Sequence, residues 1–213
     1  MKNFPSSISI REVLSSDDPA WDSWLDLYFN NFPFDERLRV EHYLNLFQRI
    51  KNGEQTNEHI LVLEQPLPEG GILLPNVIGM AFIEIEPVLG VSFLWYIATK
   101  PAVRNQGYGA ILYDYILETL KKLQSRIMII EVEIPETSEE PDNAKRRINW
   151  YKRLGAQKIE GIQYFQVIDQ EIPAKEMWLM VHPFQEMTIE EIFGLAKNYF
   201  GTYLNEKGMV ELV

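Results

Sequence analysis

The chain has 213 residues, a formal net charge of -11, 46% apolar residues and no cysteine. That length suffices for one well-buried domain with a modest extension, and the acidic balance argues against a general attraction to nucleic acid or an anionic membrane. Without cysteine, disulfides, thiolate metal sites and a cysteine nucleophile are excluded. With no signal-like or membrane-length apolar run, a soluble cytoplasmic protein is expected.

Ser7 to Val13 reads as a short first strand, with Ile8 and Ile10 alternating against Ser9 and Arg11. Asp18-Pro19 predicts a helix start, an acidic N-cap with proline at the first helical position. Behind it Trp21, Trp24, Leu25, Tyr28 and Phe32 form one apolar face. Pro33 interrupts, and a second helix is predicted from about Asp35 to Ile50, with Val40, Tyr43, Leu44 and Phe47 inward. His59 to Glu64 predicts the second strand, and residues 66–75 a loop rich in proline and glycine. Val77–Glu86 predicts a third strand, joined by a hairpin through Pro87 and Gly90 to a fourth over Val91–Ala98. That fourth run is apolar throughout, as in a strand buried on both faces.

Next comes a turn opened by Pro101 and closed by Gly107 and Gly109, with Arg104 ahead of them. A helical pattern follows at once: Leu112, Ile116, Leu120 and Leu123, with Lys121 and Lys122 near the end where positive charge suits the helix dipole. The first N–H groups of a helix have no intrahelical partner, and that end is partly positive. Two glycines remove the Cβ atoms that would keep an anion off the backbone, and Arg104 adds a forked, fixed charge. These residues describe a phosphate cradle. The dinucleotide fingerprint fails for want of a third glycine, since Ala110, Ile111 and Leu112 follow Gly109, and Gly-Lys-Ser/Thr is absent.

Ile127–Ile134 predicts a fifth strand, with Glu131 and Glu133 on either side of Val132. After the acidic Pro135–Pro141 stretch a helix is predicted from about Asp142 to Leu154, with Ala144, Ile148 and Tyr151 on one face and Gly155 as C-cap. Two more strands are expected near Ala156–Ile168 and Lys175–Val181. Thr188-Ile-Glu-Glu191 is a capping box opening an amphipathic helix, with Ile189, Ile192, Phe193, Ala196, Tyr199 and Phe200 on one face. The expected division is a main domain over 1–183 and a C-terminal helical extension over 184–213.

Arg104-x-x-Gly107-x-Gly109, after a strand ending at Ile97-Ala98-Thr99-x-Pro101, resembles the acyl-CoA-binding signature of the GNAT superfamily of N-acyltransferases. The predicted order β-α-α-β-β-β-α-β-α-β-β is similar to that family's arrangement up to about His182. The resemblance implies an α/β (α+β) fold: a mixed, mostly antiparallel twisted sheet of about seven strands flanked by helices, with the C-terminal helix added. It implies N-acetyl transfer from acetyl-CoA to an amine acceptor by direct attack in a ternary complex. Backbone groups of Tyr96, Ile97, Ala98 and Thr99 would hold the pantetheine arm and polarise the thioester, as preorganised donors do well. The pyrophosphate would lie on Arg104, Asn105, Gln106, Gly107, Tyr108 and Gly109.

Asn149-Trp150-Tyr151-Lys152-Arg153-Leu154-Gly155 resembles the family's second signature, which implies Tyr151 as proton donor to the CoA sulfur; the alternative is a core aromatic like its neighbours on that face. The asparagine often found seven residues earlier in the family is Ala144 here, with Asn143 one position off. The turn Asn30–Leu38 resembles the family's acceptor-shaping turn, or is simply an interhelical turn packed by two phenylalanines. Glu131 and Glu133 are the candidate bases for the amine proton, Glu84 and Glu86 the competing pair, and ordered water a third route. Lys145-Arg146-Arg147 with Lys152 and Arg153 reads as a solvated helix face, with contact to CoA phosphates as the alternative. His42, His59 and His182 lack metal-ligand spacing, and no metal is expected. The implied partners are acyl-CoA and an amine, weakly favoured as a small molecule. The extension packs back on the domain, lids the acceptor site or pairs with another subunit as a homodimer. The alternative function is a non-catalytic acyl-CoA sensor or scaffold.

Overall fold

The computed structural model describes residues 8–65, 76–160, 162–168, 171, 173–202 and 209–212; the loop expected over residues 66–75 lies outside them. The chain forms two compact units, Met1–Glu84 with Trp95–Thr119, and Ile85–Leu94 with Leu120–Val213.

In the first unit lie β1 (Ser9–Glu12), α1 (Trp21–Asn31), α2 (Val40–Lys51), β2 (Glu58–Gln65), most of β3 (Asn76–Glu86), the second half of β4 (Val91–Thr99) and most of α3 (Tyr108–Lys122). β1 pairs antiparallel with β2 (Ile10↔Leu63), and β2 antiparallel with β3 (Ile60↔Phe82), with an irregularity at Leu63/Glu64. The apolar face read for the first helix is real: Trp21, Trp24 and Tyr28 are buried with Tyr43, Phe47, Phe82 and Tyr96 in one cluster. Trp24 stacks on Trp21 at 5.3 Å and on Tyr28 at 5.2 Å, and its indole N–H donates to the Ala81 carbonyl at 3.3 Å. Aromatic pairs of this kind add about 0.5–1.5 kcal/mol each beyond area burial.

Three local expectations shift. α1 starts at Trp21 with Ala20 before it; the Asp18 carboxylate accepts from the Arg11 guanidinium (2.5 and 2.9 Å) and from the Ala20 N–H (2.8 Å), in the turn that precedes the helix. That Arg11 contact holds Asp18 below the usual carboxylate range. α2 starts at Val40 rather than Asp35: after Pro33 the chain makes one 3-10 turn (Phe34–Glu36), and Arg37 and Arg39 are then extended. Leu44 faces outward, 41% exposed, and Leu46 is the buried residue.

The second unit holds the first half of β4, then β5 (Ile127–Glu133), α4 (Pro141–Arg153), β6 (Gln157–Lys158), β7 (Ile162–Gln166), β8 (Lys175–Pro183), α5 (Ile189–Thr202) and β9 (Met209–Leu212). β4 runs parallel to β5 from Val91↔Ile127 to Leu94↔Ile130. β5, β6 and β7 each pair antiparallel with β8, and β9 pairs antiparallel with β7. Among the described residues the sheet has nine strands, against about seven expected. The run Ala156–Ile168 divides into β6 and β7, and β9 follows α5. Mostly antiparallel pairing with flanking helices stands as expected.

The capping box forms in both directions: the Thr188 N–H donates to Glu191 Oε2 (2.9 Å) and the Glu191 N–H to Thr188 Oγ1 (3.2 Å). α5 buries Ile192, Leu195, Ala196, Tyr199 and Phe200, with Tyr199 stacked on Phe93 at 5.8 Å and Phe200 against Tyr164 at 4.8 Å. Ile189 is exposed at the helix start, and Leu123 is exposed just past the end of α3.

Candidate active site

The loop between β4 and α3 is built by backbone conformation. After the 3-10 turn Pro101–Val103, Arg104 is extended (φ -62°, ψ 154°), and Asn105 (φ 63°) and Gly107 (φ 89°) occupy the left-handed region. Asparagine and glycine are the residues that tolerate it. α3 begins at Tyr108, so the N–H groups of Tyr108, Gly109 and Ala110 have no intrahelical acceptor. Arg104, Asn105, Gln106 and Gly107 are exposed, and a Cβ built on Gly107 would meet nothing within 4 Å. Unclaimed helix donors, open space over a glycine and an exposed guanidinium fit a phosphate.

Two side chains from elsewhere in the first unit tie this loop down, and sequence reading missed both. Arg104 donates from its NH2 nitrogen to Asn31 Oδ1 at 2.5 Å, and the Tyr108 hydroxyl accepts from Gln65 Nε2 at 3.2 Å. Neither partner carries a sequence signal; Asn31 and Arg104 are 73 residues apart.

The strand before the loop has its own logic. The Lys100 N–H donates to the Ile78 carbonyl at 2.9 Å, so Lys100 faces β3. Strand alternation then turns the backbone groups of Ala98 towards β3 and those of Ile97 and Thr99 to the other edge. A Cβ on Gly79 would lie 3.2 Å from the Leu63 Cβ and 3.3 Å from the Ala98 carbonyl oxygen, tighter than ordinary contact. Trp95 and Tyr96, although consecutive, both lie against Phe82 (6.4 and 6.2 Å), a departure from strict alternation. Trp95 also donates from Nε1 to the buried carboxylate of Glu84 (3.2 Å).

The Tyr96 side chain is a clamp. Its hydroxyl donates to the Glu36 carbonyl (2.7 Å) and accepts the Leu38 N–H (3.1 Å), while the Tyr28 hydroxyl donates to the Leu38 carbonyl (2.9 Å). The turn Asn30–Leu38 is thereby fixed to β4 and α1. On its surface Arg37 lies over the rings of Phe29 (5.1 Å) and Phe34 (5.9 Å).

Tyr151, Glu131 and Glu133 belong to the second unit. Tyr151 is 5% exposed near the end of α4, edge-on to Trp150 at 4.9 Å. Burial pushes its hydroxyl from an ordinary 10.0 up to about 12, with the Arg147 guanidinium acting the other way. Gly155 caps the helix at φ 96°, where a Cβ would meet the His182 ring at 3.0 Å. Ala144 is buried, and Asn143 bonds Glu140 and Arg146. Glu131 accepts from the Tyr164 hydroxyl and Gln166 Nε2. Glu133 pairs with Lys175 (3.3 Å) and Arg147 (3.6 Å). Of the basic residues on α4, Lys145, Arg146, Lys152 and Arg153 are exposed. His42 pairs with Glu58 (2.6 Å) and His59 with Glu12 (2.8 Å). Among the described residues, no group of three His, Asp or Glu side chains is placed to hold a metal, and no helix is long and apolar enough to cross a membrane.

Residues 21–156 match the family model of the acetyltransferase (GNAT) family, and the chain belongs to that family. Its fold is similar to that of a protein from Bacteroides thetaiotaomicron described as a GNAT-family acetyltransferase, at 27% identity, covering 92% of this chain and 97% of that one, with a TM-score of 0.69. Two further solved structures share the fold. One is from Salmonella typhimurium, with its cofactor acetyl-CoA (16% identity, 86% and 97% covered, TM-score 0.55). The other is a Bacillus subtilis acetyltransferase in complex with CoA (13% identity, 84% and 99% covered, TM-score 0.52). No curated protein matches the sequence significantly.

Proposed function

We propose that the protein is an N-acetyltransferase that moves an acetyl group from acetyl-CoA to an amine, taken here as a small molecule, by direct attack. The observation that carries this reading is the loop Arg104–Gly109, with Gly107 at φ 89° before open space and the α3 N-terminus behind it, in a chain of the GNAT family. Arg104 and the backbone of Asn105, Gln106, Gly107, Tyr108 and Gly109 would hold the pyrophosphate. The backbone of Tyr96, Ile97 and Thr99 would take the pantetheine arm, while that of Ala98 is turned to β3. Within that strand, the N–H groups of Ile97 and Thr99 would stabilise negative charge growing on the thioester oxygen.

In the reaction the amine nitrogen bonds to the carbonyl carbon and the C–S bond breaks. The leaving thiolate takes a proton from Tyr151, and the amine proton passes to a carboxylate or water. Tyr151 is protonated at neutral pH, as any tyrosine is; burial, which raises its hydroxyl to about 12, makes it a weaker donor, so the role rests on where its O–H is placed. Both carboxylates are to be tested as base: Glu131 accepts from the Tyr164 hydroxyl and Gln166 Nε2, and Glu133 is paired with Lys175 and Arg147. The net charge of -11 mildly favours a cationic acceptor.

The test is calorimetric titration of the protein with acetyl-CoA beside Arg104→Ala, followed by turnover on a panel of amines. Binding in the parent, weakened by about tenfold to a hundredfold in the variant, is expected for lost charge-assisted hydrogen bonds. Absence of binding in both would sink the reading. Binding without turnover on any amine would favour an acyl-CoA sensor.

A further inference from the structure

We infer that Asn31, the last residue of α1, is a positioning residue that aims Arg104 at the cofactor's phosphates; this rests on the acetyl-CoA reading above. An exposed arginine samples many rotamers, and an anion that binds it must freeze them. Here much of that freedom is already gone. Asn31 Oδ1 accepts from the NH2 nitrogen of Arg104 at 2.5 Å.

The asparagine amide is itself held. Its Nδ2 donates to the Leu27 carbonyl at 2.7 Å, one turn back on α1, which leaves Oδ1 as the end that faces the guanidinium. The contact engages one of five guanidinium donors, so the rest of the fork remains for phosphate oxygens. Asn31 is neutral and therefore orients the cation without cancelling its charge. An aspartate in its place would hold Arg104 more strongly, but it would also neutralise it and repel an anion. The tie from Gln65 to Tyr108 (3.2 Å) fixes the other end of the same loop, so the loop is braced where a ligand would load it. Preorganisation of one rotamer-rich side chain corresponds to about two- to tenfold in affinity.

The experiment is a double-mutant cycle on acetyl-CoA affinity by calorimetry, using the parent, Asn31→Ala, Arg104→Ala and the double variant, with thermal melts as a check on folding. Asn31→Ala is expected to weaken binding about two- to tenfold, and Asn31→Asp more than that. In the Arg104→Ala background, Asn31→Ala should have no further effect, which a merely structural role for Asn31 would not produce. An unchanged Kd for Asn31→Ala, an equal loss in both backgrounds, or tighter binding by Asn31→Asp would each overturn the proposal. If Arg104→Ala binds acetyl-CoA as the parent does, it is the cofactor reading of the loop that fails.

Discussion

The loop after β4 and the tyrosine at the end of α4 are made by opposite means. Arg104 to Gly107 are exposed, and their capacity to hold an anion comes from left-handed backbone at Asn105 and Gly107 and from the unclaimed N–H groups of α3. Tyr151 is 5% exposed, and what distinguishes it is a desolvated side chain whose hydroxyl is raised to about 12. The first device depends on backbone freedom at Asn105 and Gly107 together with the charge of Arg104; the second tolerates little change in one oxygen atom. A binding element of the first kind is therefore recognisable from spacing. The second needs its surroundings.

That contrast can be broken most sharply at Tyr151. Tyr151→Phe keeps the ring and its packing, so kcat should fall about 100-fold or more while the acetyl-CoA Kd moves less than about threefold. Unchanged turnover would return Tyr151 to the core aromatics. On the other side, Gly107→Val forces a β-branched residue into φ 89° and puts methyl groups where open space now lies. Acetyl-CoA affinity should drop about 30-fold or more, and calorimetry showing normal binding would remove the backbone cradle from the reading.

Tyr96 tests the contrast within one residue, since its backbone and its side chain have separate tasks. Tyr96→Phe leaves the strand intact but deprives the Glu36 carbonyl and Leu38 N–H of their partner. Stability in urea should fall by about 1–2 kcal/mol, with acetyl-CoA binding unchanged. The smallest effect is on pH dependence. The folded Tyr151 holds its proton more tightly than the unfolded chain, so its contribution to stability is complete below about pH 10 and is lost as the pH rises towards about 12. At about pH 11 the parent should have lost roughly 1 kcal/mol that Tyr151→Phe retains, by urea melts across that range. Parallel losses in both proteins would place the alkaline sensitivity in other buried tyrosines such as Tyr28 and Tyr164, whose hydroxyls burial also raises.

Contiguous residues were enough to define the features that form within a few positions of one another. The apolar run of β4, the glycine loop, the capping box Thr188–Glu191 and the Gly155 cap all stand where spacing puts them, because backbone dihedrals and near-neighbour hydrogen bonds are encoded locally. Tertiary structure decided the rest. Asp18 looks like a helix N-cap, but it binds Arg11 and the Ala20 N–H in a turn ahead of a helix that starts at Trp21, and Leu44 looks inward until the placement of α2 buries Leu46 instead. The division of one expected strand into β6 and β7 follows from both pairing with β8. The ties Asn31–Arg104 and Tyr96–Leu38 join residues that are 73 and 58 positions apart. No periodicity encodes such a pair: its energy exists only when two surfaces, each shaped by its own packing, come within the roughly 3 Å reach of a hydrogen bond.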